Sequence, residues 1–122
     1  TLFPGAKIIV CGHTDLAIGG RKFSGNSQRR KRNFLLFHGT FLLNFDLARV
    51  GEFLRMPSLQ PDYRTGRSHD DFLVNLNLPA SRVRAALQTA WKADDELQNF
   101  PELETRRLAA QKYATDAWNL KL

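Results

Sequence analysis

The run Gly20-Arg21-Lys22-Phe23-Ser24-Gly25-Asn26-Ser27-Gln28-Arg29-Arg30 is followed, eight residues later, by His38-Gly39-Thr40. Glycine lets the main chain approach a ligand closely, and lysine supplies a compact charge with three donors. Together they can set an ammonium and bare backbone donors against one small acyl or phosphoryl group. Upstream, Asp15-Leu16-Ala17-Ile18 with Gly19-Gly20 reads as a strand entering a tight turn, and Arg21-Lys22-Phe23 as its hairpin partner. The small polar residues Ser24 to Ser27 then suit a loop.

Further out, Lys7-Ile8-Ile9-Val10-Cys11 is a β-branched run ending at Gly12, which predicts a buried strand. Phe34 to Phe45 is almost unbroken apolar sequence and predicts one long strand, bent or bulged at Gly39. Asp46 can cap a short helix from Leu47 to about Met56, stopped by Pro57. Residues 57–68 hold Pro57, Pro61 and Gly66 and read as a loop that leaves Asp62-Tyr63-Arg64 and Arg67 free for a ligand or partner. Pro79 opens a helix to about Leu97, with Val83, Ala86, Leu87, Ala90 and Trp91 on one stripe. Asn99-Phe100-Pro101 breaks it, and a last helix runs from Pro101 through about Ala114. Strands first and helices later predict an α+β unit, an antiparallel or mixed sheet with helices packed on it.

The 122 residues suffice for one domain or part of one. With 43% hydrophobic and 25% charged residues the composition is that of globular protein. No apolar run approaches the roughly 20 residues that span a bilayer. A single cysteine excludes an internal disulfide and suits a reducing, cytoplasmic setting. The net charge of +6 is uneven: residues 1–67 carry eleven Lys and Arg against four Asp and Glu, while residues 68–122 carry seven against eight. A basic first half suits an anionic ligand, an acidic carrier or nucleic acid, and charge alone does not choose among them.

The lysine run resembles the lysine motif of the lipoate-protein ligase and octanoyltransferase family, in which Asp-Leu precedes Gly-Arg-Lys-x-Ser-Gly and His-Gly-Thr follows. Asp15-Leu16, Arg67-Ser68 before Asn75-Leu76, and Lys112-Tyr113 before Trp118-Asn119 match further family elements in the same order. The family's amino-terminal half, with its Arg-Arg and Gly-Gly-Gly segment, has no counterpart, so residues 1–122 are expected to be the carboxyl-terminal portion of such a catalytic domain. The resemblance implies that the complete enzyme activates lipoate or octanoate with ATP and Mg2+. It then transfers the acyl group to a lysine on a lipoyl carrier domain of a 2-oxoacid dehydrogenase or glycine-cleavage protein. The implied roles are Lys22 on the acyl carbonyl and phosphate, Ser24, Gly25, Asn26, Ser27, His38, Gly39 and Thr40 lining the substrate, and Asp15 positioning nucleotide or magnesium. Sheet edges left without partners are expected to favour self-association or a complementary chain.

Two features remain open on the residues alone. Octanoyltransferases of this superfamily use a cysteine nucleophile, but the placement of Cys11 does not match theirs; Ser58, after Pro57, is the loosely comparable residue. Cys11 therefore reads as a buried structural thiol. Arg29-Arg30-Lys31-Arg32 reads as a solvated turn, as a basic edge that steers an acidic carrier, or as a nucleic-acid contact on a non-catalytic basic module.

Overall fold

The computed structural model describes residues 2–121. It forms two compact units, one running to Trp91 and the other starting at Lys92. In the first, four antiparallel strands lie in chain order: β1 (Ile8–Cys11), β2 (Asp15–Ile18), β3 (Arg21–Lys31) and β4 (Phe34–Phe41). Helices α1 (Ala48–Phe53), α2 (His69–Phe72) and α3 (Ala80–Trp91) follow, with a 3-10 turn at Asp62–Arg64. The α+β class with an antiparallel sheet is the one that the order of strand and helix signals predicts.

The β2–β3 hairpin turns at Gly19 and Gly20, whose φ values of 57° and 73° are the left-handed conformation glycine adopts freely. Past the turn β3 does not stop at Phe23. It runs through Ser24–Ser27 to Lys31, so the segment expected to be a loop is strand, paired residue by residue with β4. Arg29, Arg30 and Lys31 are likewise strand residues, opposite Leu36, Leu35 and Phe34, and only Arg32 lies in the turn, at a φ of 48°.

The irregularity of the sheet lies elsewhere than expected. Pairing of β3 with β4 is regular through Gly39, which sits opposite Asn26. The bulge is between β2 and β3, where Leu16 faces Ser24 and Ala17 faces Lys22, leaving Phe23 as the extra residue. Strand β4 ends at Phe41, four residues early, because Leu42 turns its amide to the Phe23 carbonyl (2.7 Å) and its own carbonyl to the Leu76 amide (2.8 Å). Asn75 then brackets Phe45, accepting its N–H at 2.9 Å and donating to its carbonyl at 2.7 Å.

Helix α1 is shorter than expected, and Leu47 at its N-cap makes no side-chain hydrogen bond; Asp46 contributes a backbone carbonyl to the Arg49 amide. Ser68 caps α2, accepting from the Asp71 N–H at 3.1 Å. Helix α3 ends at Trp91, well before Leu97, since Lys92 takes a left-handed φ of 51°. Val83, Ala86, Leu87 and Ala90 of its stripe line a cleft against Leu16, Phe23 and Phe41 of the sheet. The second unit holds α4 (Glu102–Leu108), a π turn (Ala109–Tyr113) and α5 (Asp116–Asn119). There Tyr113 meets Trp118 edge-on at 5.1 Å, and the Lys112 ammonium lies 4.6 Å from the Trp118 ring centre.

The buried apolar core is small: Ala17, Phe23, Phe72 and Val83. Strand β1, expected to be buried, exposes Ile8, Ile9 and Val10. On β4 the whole run Phe34-Leu35-Leu36-Phe37 is exposed, Phe34 by 77%. A strand apolar on both faces is the pattern of a sheet interior, yet β4 is an edge of this sheet.

Phe23 is 2% exposed and its ring lies 6.1 Å from that of Phe41. Phe23→Ala is expected to lower stability by about 3–5 kcal/mol, measured as the loss of urea-unfolding free energy.

Candidate active site

The register of β3 on β4 brings the expected substrate residues together as cross-strand pairs: Gly25 with Thr40, Asn26 with Gly39, and Ser27 with His38. Gly39 is required by the close approach of its neighbour, because a Cβ there would run into the Asn26 side chain. Asn26 donates to the Thr14 carbonyl (2.7 Å), while the Thr14 hydroxyl donates to the Asn26 carbonyl (2.5 Å). These two bonds tie the β1–β2 turn to the middle of β3. Asn26, His38 and Gly39 line a cleft of about 740 Å³ together with His13, Phe37 and Trp91. Ser24 is expected at the ligand, but it is 1% exposed and donates to Asn26 Oδ1 at 3.3 Å. It supports Asn26 from behind.

Lys22 is held apart from that cleft. Its ammonium lies 2.8 Å from Asp15 Oδ1, with the two side chains 27% and 16% exposed. The bulge accounts for the reach: Lys22 pairs with Ala17 across the strands, and its side chain folds back along β3 over Gly25. A Cβ on Gly25 would lie 3.3 Å from both Lys22 Cε and Nζ, and 3.9 Å from Asp15 Oδ1. Glycine at this position therefore opens the corridor in which the ion pair forms.

The second oxygen of Asp15 is also taken. Tyr63 donates its hydroxyl to Asp15 Oδ2 at 2.8 Å. Burial holds this phenol protonated well above its ordinary range, reinforced by the hydrogen bond to Asp15 and by the carboxylate's charge. Asp15 thus holds Lys22 through one oxygen and Tyr63 through the other. Among the described residues no group of three or more His, Cys, Asp or Glu side chains is arranged to hold a metal ion.

The loop at 57–68 is not free for a ligand in the way its composition suggests. Arg64 is 5% exposed, donates to the Arg67 carbonyl (3.0 Å) and lies 4.7 Å from the Phe72 ring centre. Arg67 donates to the Tyr63 carbonyl (2.6 Å) and the Gly20 carbonyl (3.1 Å), bolting the loop to the β2–β3 turn. Tyr63 is a site residue that sequence reasoning placed only in a ligand-accessible loop. Its partner lies 48 positions away, and no local pattern announces such a contact. Cys11, expected to be buried, is half-buried at the end of β1, opposite Asp15 in the register.

The antiparallel sheet thus carries an open cleft and, apart from it, a lysine–aspartate pair, and comparison with known proteins gives the family. Residues 4–86 match the family model of the lipoyl protein ligase A/B catalytic domain. Octanoyltransferase LipM of Halalkalibacterium halodurans is 25% identical over 120 residues, covering 88% of this chain and 44% of that protein. Lipoate-protein ligase A of Bdellovibrio bacteriovorus is 49% identical over 47 residues, 35% of this chain and 14% of that protein. A crystal structure of lipoate-protein ligase A bound with ATP superposes with a TM-score of 0.68 at 22% identity, over 86% of this chain and 43% of that one. The chain belongs to the lipoyl protein ligase A/B catalytic domain family, a family of enzymes. It spans less than half the length of the relatives that match most of it. No helix among the described residues is long and apolar enough to cross a membrane.

The Tyr63 phenol gives a pH dependence with a definite sign. An unfolded chain releases this proton near the ordinary value of about 10, whereas the folded chain retains it to higher pH. The stability it contributes is complete below about pH 10 and lost as pH rises beyond that. Urea midpoints from pH 8 to 11 are expected to fall above pH 10, and to fall less steeply in Tyr63→Phe.

Proposed function

We propose that this chain is the carboxyl-terminal portion of a catalytic domain that transfers a lipoyl or octanoyl group to a lysine of a lipoyl carrier domain. The carrier would belong to a 2-oxoacid dehydrogenase or a glycine-cleavage protein. The observation that carries the reading is Lys22: an ammonium on a strand, in a glycine corridor, fixed by one carboxylate oxygen at 2.8 Å. One donor is spent on Asp15, and two others remain for an oxygen outside the chain. In the transfer, the carrier amine attacks the acyl carbonyl carbon. A C–N bond forms, the bond from the carbonyl carbon to the oxygen or sulfur that carried the acyl group breaks, and the amine's proton passes to that departing atom or to solvent. Negative charge collects on the carbonyl oxygen, where a fixed ammonium stabilises it. Asn26, Gly39 and His38 would shape the wall beside the acyl chain, with Gly25, Ser27 and Thr40 behind them on the paired strands.

The origin of the acyl group separates two routes. The ligase route implied by the sequence motifs uses ATP and Mg2+, and the 49% identity to a named lipoate-protein ligase across 47 residues supports it. In this route Asp15 would hold Lys22 through one oxygen and Tyr63 through the other, and the remaining lone pairs of the carboxylate would serve a magnesium or nucleotide contact. The octanoyltransferase route, from an acyl carrier protein, is supported by the octanoyltransferase relatives that match 88% of the chain. Lys22 serves the carbonyl oxygen in both.

In the complete enzyme, Lys22→Ala is expected to lower acyl transfer on the order of 10²-fold or more, and a fully active variant would remove the basis of this reading. Cys11→Ser tests whether this thiol carries the acyl group. Unchanged turnover is expected and leaves Cys11 out of the chemistry, whereas loss of turnover together with an acyl adduct on wild-type Cys11 by mass spectrometry supports a thioester.

The open β4 edge and the exposed Phe34–Phe37 run are the surface through which the rest of the domain, or a second copy, would complete the sheet. The 122-residue chain alone is therefore expected to be silent in acyl transfer and to self-associate. Analytical ultracentrifugation showing only monomer at high concentration would count against the edge as a pairing surface.

A further inference from the structure

We propose that Tyr63 is a positioning residue for Lys22, acting through Asp15: its hydroxyl fixes one carboxylate oxygen so that the other holds the ammonium over Gly25. The proposal rests on the reading of Lys22 as the group that holds the acyl oxygen. A carboxylate that meets a single partner can turn about its Cβ–Cγ bond and carry that partner with it. A second donor on the other oxygen fixes the plane of the group. Here the two bonds are equal in length, 2.8 Å from Tyr63 Oη to Oδ2 and 2.8 Å from Oδ1 to Lys22 Nζ.

The phenol is itself aimed. Its ring meets Phe72 at 5.0 Å, and its carbonyl is gripped by Arg67, which also reaches the Gly20 carbonyl at the β2–β3 turn. Gly12, at the end of β1, leaves room on the other side: a Cβ there would lie 3.7 Å from Tyr63 Cε1 and 3.3 Å from Pro61 Cβ. The loop and the hairpin that carries Lys22 thus form one braced unit. The ring suffices for the packing on Phe72, so the hydroxyl and its bond to Asp15 are a separable contribution. Positioning to within a fraction of an ångström is what a charge donor in acyl transfer requires.

The test reads the lysine directly and needs no turnover. The folded chain is treated with limiting acetic anhydride, and acetylation of Lys22 relative to exposed Lys7 is measured by peptide mass spectrometry. A clamped ammonium is shielded from the reagent, so its ratio is low. Tyr63→Phe, which keeps the ring on Phe72, is expected to raise the ratio about threefold or more, a change within what the loss of one hydrogen bond makes. Asp15→Asn is expected to raise it at least as much, and the double variant no further than Asp15→Asn alone. A wild-type ratio in Tyr63→Phe, or effects that multiply in the double variant, overturns the proposal. A second measurement leaves Tyr63 in place: in Asp15→Asn its phenol should ionise at lower pH, seen as phenolate absorbance, and unchanged ionisation also overturns it. Because labelling is independent of catalysis, an active Lys22→Ala enzyme would refute the acyl-transfer role while the clamp is judged on the labelling alone.

Discussion

The extra residue that β3 carries opposite Leu16 and Ala17 governs the geometry of the first unit. A bulge shifts the alternation of side chains along one strand by a single position. Here it lets Phe23 enter the core at 2% exposure while Lys22, its neighbour, turns along the strand toward Asp15. Without the extra residue, the strict two-residue alternation of a strand would place core residue and lysine in conflict with the pairing of Ser24 to Ser27 on β4. The Phe23 carbonyl also receives Leu42 at the end of β4, so the same residue sets where that strand stops. Core, site and strand end are joined at one irregular position.

Around this position the polar groups are arranged in pairs that leave few loose ends. Asn26 and Thr14 exchange bonds across the β1–β2 turn; Asn75 brackets Phe45; Arg67 spans from Tyr63 to Gly20. Each is a side chain closing on backbone from a distant part of the chain, which substitutes for the rigidity that a small apolar core does not supply. Exposed ion pairs such as Arg106–Glu102 and Arg107–Glu104 in the second unit contribute much less, since solvent screens them.

Much of this was visible in the order of residues. The β-branched run before Cys11, the Gly19-Gly20 turn and the apolar stripe from Val83 announce strands, a hairpin and a helix in their places. The α+β class followed from their order. Ser24 to Ser27 misled because glycine and small polar residues favour loops in isolation, whereas here strands on both sides supply partners for the start of β3 and β4 alone for the rest. The cross-strand meeting of Asn26 with Gly39 was implied only once β3 was known to continue. Arg64 and Tyr63 lay beyond any local pattern: their partners, Phe72 and Asp15, are set by the tertiary path of a proline-containing loop. The burial expected of β1 is not found, since apolar composition states what a strand tolerates and not what covers it.

Phe34-Leu35-Leu36-Phe37 is a short, uncharged, β-prone window of the type that stacks into intermolecular sheets. Its hydrogen-bonded neighbour is the run Arg29–Lys31, extended by Arg32 at the turn. These cations act as gatekeepers: two copies that approach edge to edge must bring like charges together beside the apolar strand. The protection is only as long-ranged as the Debye length, about 10 Å at 0.1 M salt. High ionic strength or a polyanion would mask it and expose the strand's full tendency to pair. Pairing through this edge is thus governed by the solvent's ions as much as by the fold.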